Sequence, residues 1–347
     1  MHLILHLGPP KTGSTSIQRA LWRGGEQLQA AGCHHYRGRK PSEWSLHFLY
    51  SPHKTKLPPV LRRHFDSVAE ATAWSEGCWD LLQQEVTEKR PDVTIVSSEH
   101  FANMADPAGF IDRICDGFDE VTLIAYARDP VALYVSEVDE LIRGGRRFRD
   151  LPQVHGFHYN AVHNIRRFEE LVGRDNLILR NFDRDTLVDG DLVADFYHVV
   201  SERTGRMVAP PELPDDAVND SLSGAATAWL LTMNETTGMQ EASTEVSRAL
   251  IEDRDRAVAA LRKSKELRKL PRLSMTDPVL ECMLRAQADE TVAWLNDGYL
   301  STPLPRAEMP EEVPNKAGQK KRLRNWLMSY MTPQAMRAIG RALIDVG

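Results

Sequence analysis

Residues 3–21 read LILHLGPPKTGSTSIQRAL. An apolar run ends in Gly8. Two prolines, Lys11, Thr12 and Gly13 follow, and then the hydroxyl residues Ser14, Thr15 and Ser16. The run reads as a buried strand. The stretch from Ser14 reads as a helix with Ile17, Leu21 and Leu28 on one stripe. A strand that ends in a glycine-rich turn and opens a helix is an anion site, because the first helical amides have no carbonyl partner and the helix dipole adds partial positive charge. Gly8 and Gly13 permit the bend, the hydroxyls add donors and Lys11 adds a full charge. A nucleoside-triphosphate loop reads G-x-x-x-x-G-K-[ST]. Gly8 and Gly13 keep its glycine spacing, but Ser14 stands where the lysine belongs, and Lys11 comes two residues before the second glycine.

Further apolar runs at 93–97 (VTIVS), 121–127 (VTLIAYA) and 177–179 read as buried strands. Helical patterns cover 73–88, 108–115, 130–142 and 161–172. Strands alternating with helices predict an α/β protein: a three-layer, P-loop-like fold whose mainly parallel sheet is covered on both faces. Beyond residue 210 the pattern is helical, with charged helices expected over 245–270 and 276–300. The expected segments are an α/β core at 1–209, a helical extension packed on it at 210–305, and a basic amphipathic tail at 306–347.

The chain has 347 residues, 42% apolar and 27% charged, as an ordinary globular protein does. A net charge of −6 argues against wholesale nucleic-acid binding. The charge is uneven. Residues 315–347 hold seven Lys/Arg and one Asp, net +6, which leaves −12 for the rest. Four scattered cysteines form no C-x-x-C pair and are expected to be reduced thiols. No stretch approaches the roughly 20 apolar residues of a membrane span, and the N-terminus enters a strand with no basic leader. These features predict a complete cytoplasmic chain. The tail carries Leu323, Trp326, Leu327, Tyr330, Met336, Ile339 and Leu343 at helical spacing. It is expected to dock on the body or on a second subunit, with peripheral contact at the inner membrane face as the alternative.

Residues 10–16, PKTGSTS, closely resemble the 5′-phosphosulfate loop of sulfotransferases, which use 3′-phosphoadenosine 5′-phosphosulfate as donor. The resemblance implies that Lys11, Thr12, Gly13, Ser14, Thr15 and Ser16 hold the 5′ end, with Lys11 facing the leaving oxygen. The family also carries a strand-end arginine followed eight residues later by a helical serine, and the pair holds the donor's 3′-phosphate. IAYARDPVALYVS supplies Arg128 and Ser136 at that spacing. An arginine fork suits a phosphate. In TIVSSEHF, ligands belong beyond the strand's carboxyl end. Alternation sets Ser97 and Glu99 on one side, Ser98 and His100 on the other. A strand in this region of related enzymes delivers the catalytic base. Glu99 is favoured here and His100 is the alternative, and a carboxylate beside an anionic donor is expected to have a raised pKa.

NLILRNFDRDTL, VNDSLSGAATAWLLTMN and LNDGYL look like later segments of bacterial members, so the resemblance spans residues 1–300 or so. The R-K-G found near the C-terminus of cytosolic members is missing; Arg262-Lys263-Ser264 lies in a charged helix and is not its equivalent. The implied reaction is metal-free sulfuryl transfer to a hydroxyl or amine of a glycan, lipid head group or small metabolite. Rival readings are a P-loop kinase or NTPase with a displaced lysine, and a catalytically dead nucleotide-binding regulator. Basic clusters at 37–40, 54–56, 62–64 and 143–149 read either as walls for an anionic or sugar acceptor or as solvated surface. His155, His158 and His163 have no acidic or cysteine company that would make a metal site.

Overall fold

The computed structural model describes residues 1–53, 55–213, 222–237 and 245–344. The chain is α/β. Among the described residues five strands form one parallel sheet: β1 (His2–Leu7), β2 (Cys33–His35), β3 (Val93–Ser98), β4 (Glu120–Ala127) and β5 (Leu177–Asn181), in the order β2-β3-β1-β4-β5. The helices α1 (Ser14–Arg23), α2 (Gly25–Ala30), α3 (Val68–Lys89), α4 (Pro107–Ile114), α5 (Pro130–Arg143), α6 (Asn160–Val172) and α7 (Leu192–Thr204) alternate with the strands. After them come α8 (Gly224–Thr237), α9 (Glu245–Lys263), α10 (Pro278–Gln287), α11 (Asp289–Asn296), α12 (Lys316–Met328) and α13 (Pro333–Ile344).

Why these segments form these elements is visible locally. β1 lies at the centre of the sheet, and all six of its residues are buried. It therefore reads as an unbroken apolar run instead of an alternating one. Three helices, α4, α5 and α10, start with the same pair, an aspartate cap followed by proline at the first helical position. The carboxylate takes the orphan amides, and the proline has no amide to leave unpaired. Ser67 and Glu70 start α3 five residues earlier than the apolar spacing suggests: Ser67 accepts from the Glu70 amide, and Glu70 accepts from the Asp66 amide. The single helix expected over 276–300 is two, α10 and α11, divided at Ala288. The one expected over 245–270 ends at Lys263.

The chain divides into two compact units that interleave in sequence. The first comprises Met1–Arg128, Tyr159–Pro214 and Ala293–Leu304; the second comprises Asp129–His158, Asp215–Val292 and Pro305–Gly347. Helix α5, expected within the 1–209 segment, thus belongs to the second unit. In the first unit, Ile4, Ile95, Ile124 and Tyr126 of the sheet pack against Ile17 and Leu21 of α1, Leu28 of α2, and Val193, Phe196 and Val200 of α7. Leu3, Leu5 and Leu7, which point the other way, are also fully buried, so both faces of the sheet are covered. In the second unit, Thr227 of α8 donates to Asp139 of α5 at 2.6 Å, and Asn234 donates to the carbonyls of Ile142 and Arg146.

The tail packs inside the second unit. Leu323, Trp326, Leu327 and Ile339 are buried there, Trp326 donates to the Ser274 carbonyl at 2.7 Å, and Arg322 pairs with Asp277 at 2.9 Å. Of the apolar stripe, Met336 stays half exposed. Among the described residues no helix is long and apolar enough to cross a membrane, and the four cysteines are free thiols.

Candidate active site

The site is built at the carboxyl ends of three adjacent strands of the first unit. β1 is flanked by β3 and β4, with Leu7 beside Ser98 and His6 beside Ile124. The loop carrying Lys11 leaves β1, Glu99 and His100 follow β3, and Arg128 follows β4. The Gly8 amide extends the pairing to the Ser98 carbonyl at 3.0 Å, which brings the loop's first residue against the end of β3.

Two glycines have steric reasons to be glycine. A Cβ on Gly8 would lie 2.4 Å from Ser14 Oγ and 3.2 Å from Glu99 Cα. Gly13 caps α1 at φ +76°, and its Cβ would fall 2.2 Å from Leu192 of α7. Gly13→Ala therefore combines a left-handed backbone with a core clash and is expected to cost about 2 kcal/mol or more. A urea midpoint unchanged from wild type would show that the loop relaxes around the methyl group.

Lys11 also has positive φ, +63°. A non-glycine residue held there is stabilised by its surroundings, and part of that support is explicit. Arg128 donates from Nη1 to the Lys11 carbonyl at 2.9 Å. Arg128 is itself held: its carbonyl accepts from the Tyr159 hydroxyl, and its guanidinium lies 5.4 Å from the centre of the Phe182 ring. The lysine and arginine singled out from separate motifs thus belong to one hydrogen-bonded unit. Tyr159 was not singled out from the sequence, where nothing marks it, and Phe182 lay unremarked within NLILRNFDRDTL.

The hydroxyl residues divide into different roles. Thr12 is buried and donates to the Pro9 carbonyl at 2.7 Å, closing the loop on itself. Ser14 is buried against Gly8, its Oγ without a partner among the described residues. Thr15 is exposed and Ser16 half-buried. With the amides at the start of α1, the hydroxyls of Ser14, Thr15 and Ser16 form a cradle of donors that fits an anionic group. Ser136 lies in α5 of the second unit, half-buried.

The strand alternation expected through Glu99 and His100 stops at Ser98. Both residues form a turn, and the His100 amide donates to Ser98 Oγ at 3.1 Å. Their side chains stay together, His100 Nε2 being 3.9 Å from Glu99 Oε1. His100 stacks on His47 at 5.3 Å and against Trp44 at 4.3 Å between ring centres. His47 is fully buried, with neither ring nitrogen paired among the described residues, and burial pushes its pKa down to about 3. His6 of β1 is also fully buried and likewise pushed down to about 3. Its Nδ1 lies 2.8 Å from Ser97 Oγ.

Of the basic clusters, Arg37 lines a cavity beside Ser97 and Ser98. In the 54–56 cluster, Lys54 lies outside the described residues, as do residues 218–221 of the VNDSLSGAATAWLLTMN segment.

No protein-family model matches the chain, and no curated protein does. Among solved structures, the chain is similar to a sulfotransferase from Alicyclobacillus acidocaldarius, with 14% identity, a TM-score of 0.37, and coverage of 72% of this chain and 95% of that one.

Proposed function

We propose that the protein is a sulfotransferase that moves the sulfuryl group of 3′-phosphoadenosine 5′-phosphosulfate onto a hydroxyl or amine of a glycan, lipid head group or small metabolite. The observation that carries this reading is the bond from Arg128 to the Lys11 carbonyl. It links the residue that the resemblance gives to the donor's 3′-phosphate with the loop that it gives to the 5′ end, an arrangement that suits a doubly phosphorylated nucleotide. The buried, unpaired Ser14 hydroxyl and the donor cradle at the start of α1 fit the same ligand.

The donor supplies an activated sulfuryl group, and the protein supplies position and charge. The bond from sulfur to the acceptor oxygen or nitrogen forms as the bond from sulfur to the leaving phosphate oxygen breaks. Lys11 offsets the charge left on that phosphate. Glu99 takes the proton released by the acceptor. The rival kinase reading needs an acid at a strand end to hold Mg²⁺. Asp129, after β4, is one acid in such a place, and its carboxylate is already engaged. One oxygen caps α5 through the Val131 and Ala132 amides, and the other pairs with Arg285 at 2.6 Å.

Thermal stabilisation tests the reading. Adenosine 3′,5′-bisphosphate at 100 times its Kd is expected to add about 2.7 kcal/mol. AMP and ATP–Mg²⁺ are expected to add much less, and Arg128→Ala to abolish the gain. Stabilisation by ATP–Mg²⁺ instead would transfer the site to the kinase reading. Once turnover is established, Glu99→Gln should lose it. Retention of turnover in that variant, with loss in His100→Ala, would move the base to His100.

A further inference from the structure

The carboxyl end of β3 opens on a cavity of about 90 Å³. Trp22 of α1, Arg37 after β2, and Ser97 of β3 line it, and Glu99 is two residues beyond Ser97 in the chain. A dry cavity of roughly 150 Å³ admits a benzene ring, so this one takes the end of a molecule and leaves the remainder at its mouth.

The charge of its walls is one-sided. Among the described residues, Arg37 is the one charged side chain that lines it, and no carboxylate does. His35, also in the wall, is kept neutral: burial pushes its pKa down to about 3, and its Nδ1 has no partner among the described residues. Arg37 is held in place, donating to the Trp22 carbonyl at 2.9 Å with its guanidinium 5.3 Å from the centre of the indole. Arg37 is exposed, and its fixed guanidinium at the rim favours an anion and repels an ammonium group. Trp22, 60% exposed, gives the rim a flat apolar platform.

Ser97 adds a directional donor, and buried His6 sets its direction. His6 is neutral and so carries one ring N–H. Its Nε2 is buried and unpaired, while Nδ1 lies 2.8 Å from Ser97 Oγ. A proton on Nε2 would be a buried orphan donor, the rarer of the two defects. With the proton on Nδ1, His6 donates to Ser97, and the Ser97 hydroxyl hydrogen is released to the cavity.

We propose that this cavity seats the hydroxyl-bearing end of an anionic polyol, such as a sugar acid, and rejects amines. Ser97 donates to a ligand oxygen and Arg37 pairs with the ligand's negative group. The proposal rests on the sulfuryl-transfer reading and narrows its acceptor to a hydroxyl.

Calorimetric titration in saturating adenosine 3′,5′-bisphosphate tests it with three probes: a glucuronate-terminated disaccharide, its methyl ester, and glucosamine. The acid is expected to bind at least tenfold more tightly than the ester, and glucosamine not measurably. Arg37→Gln should erase the acid's advantage, with bisphosphate binding retained as the control for folding. Nitrogen-15 shifts of His6 should report a protonated Nδ1. The proposal is overturned if the ester matches the acid, if glucosamine binds as well, if the acid does not bind while the bisphosphate does, or if His6 carries its proton on Nε2. Failure of the bisphosphate itself to bind would instead overturn the transfer reading on which the acceptor assignment depends.

Discussion

Asp195→Ala is expected to destabilise the protein by about 3 kcal/mol or more, the cost of stripping one partner from a buried charge network. Asp195, in α7, is fully buried. One carboxylate oxygen accepts from Arg180 Nη2 and from the Val188 amide at 3.1 Å. The other accepts from Arg180 Nε at 3.0 Å and the Tyr126 hydroxyl at 2.9 Å. This carboxylate ties α7 to β4 and β5, and α7 carries the Leu192 that presses on Gly13. The bond to Asp195 raises the Arg180 pKa, and burial raises that of Tyr126 well above its usual value. Alanine leaves the tyrosine hydroxyl without its partner, while Arg180, part exposed, turns towards water. Tyr126→Phe, which removes one donor and keeps the carboxylate, should cost about 1 kcal/mol. Urea unfolding of both variants gives the comparison. Equal, small losses would mean that water satisfies the network's pieces.

Acid should unfold the protein early. His6 and His47 are fully buried and neutral, their pKa values pushed from 6.5 down to about 3 by burial. The unfolded chain binds protons at these positions below pH 6.5, and the folded chain does not until about pH 3. Stability therefore falls as pH drops through that window, by about 1.4 kcal/mol per pH unit for each such histidine. His35, pushed down to about 3 by the same cause, steepens the fall. The unfolding free energy measured from pH 7 to 4 should show the combined slope. His47→Gln, which has no proton to gain, should flatten it by one histidine's share. An unchanged slope would mean that His47 reaches water.

The parts of the fold legible in the sequence are those set by local rules. Four strands are where apolar runs predict them, because a strand buried on both faces has no polar position to blur the signal. β2 went unseen: Cys33-His34-His35 is three residues long at the sheet's edge, and only its register with β3 makes it a strand. Ile17, Leu21 and Leu28 are all buried, as one stripe predicts, although Gly24 and Gly25 divide that stripe between α1 and α2. At the site, Lys11 and Arg128 were found by motif, but the bond between them spans 117 positions and has no local trace. Glu99 and His100 were assigned to opposite sides by a rule that stops at the last strand residue. His6 reads from sequence as one more buried strand position. Its hold on Ser97 appears only once β1 and β3 are paired.

The interleaving of the two units bears on how the chain can be made. Each unit is assembled from three separate segments, and the first needs residues as late as Leu304. During synthesis the strand and loop of the candidate site emerge first, but the piece that completes their unit arrives late, after most of the second unit has been translated. Domain-by-domain folding on the ribosome, the usual relief for a long chain, is therefore closed to this protein. β1, apolar throughout, has to wait for partners encoded far downstream. No cut at a single point in the sequence would release either unit whole.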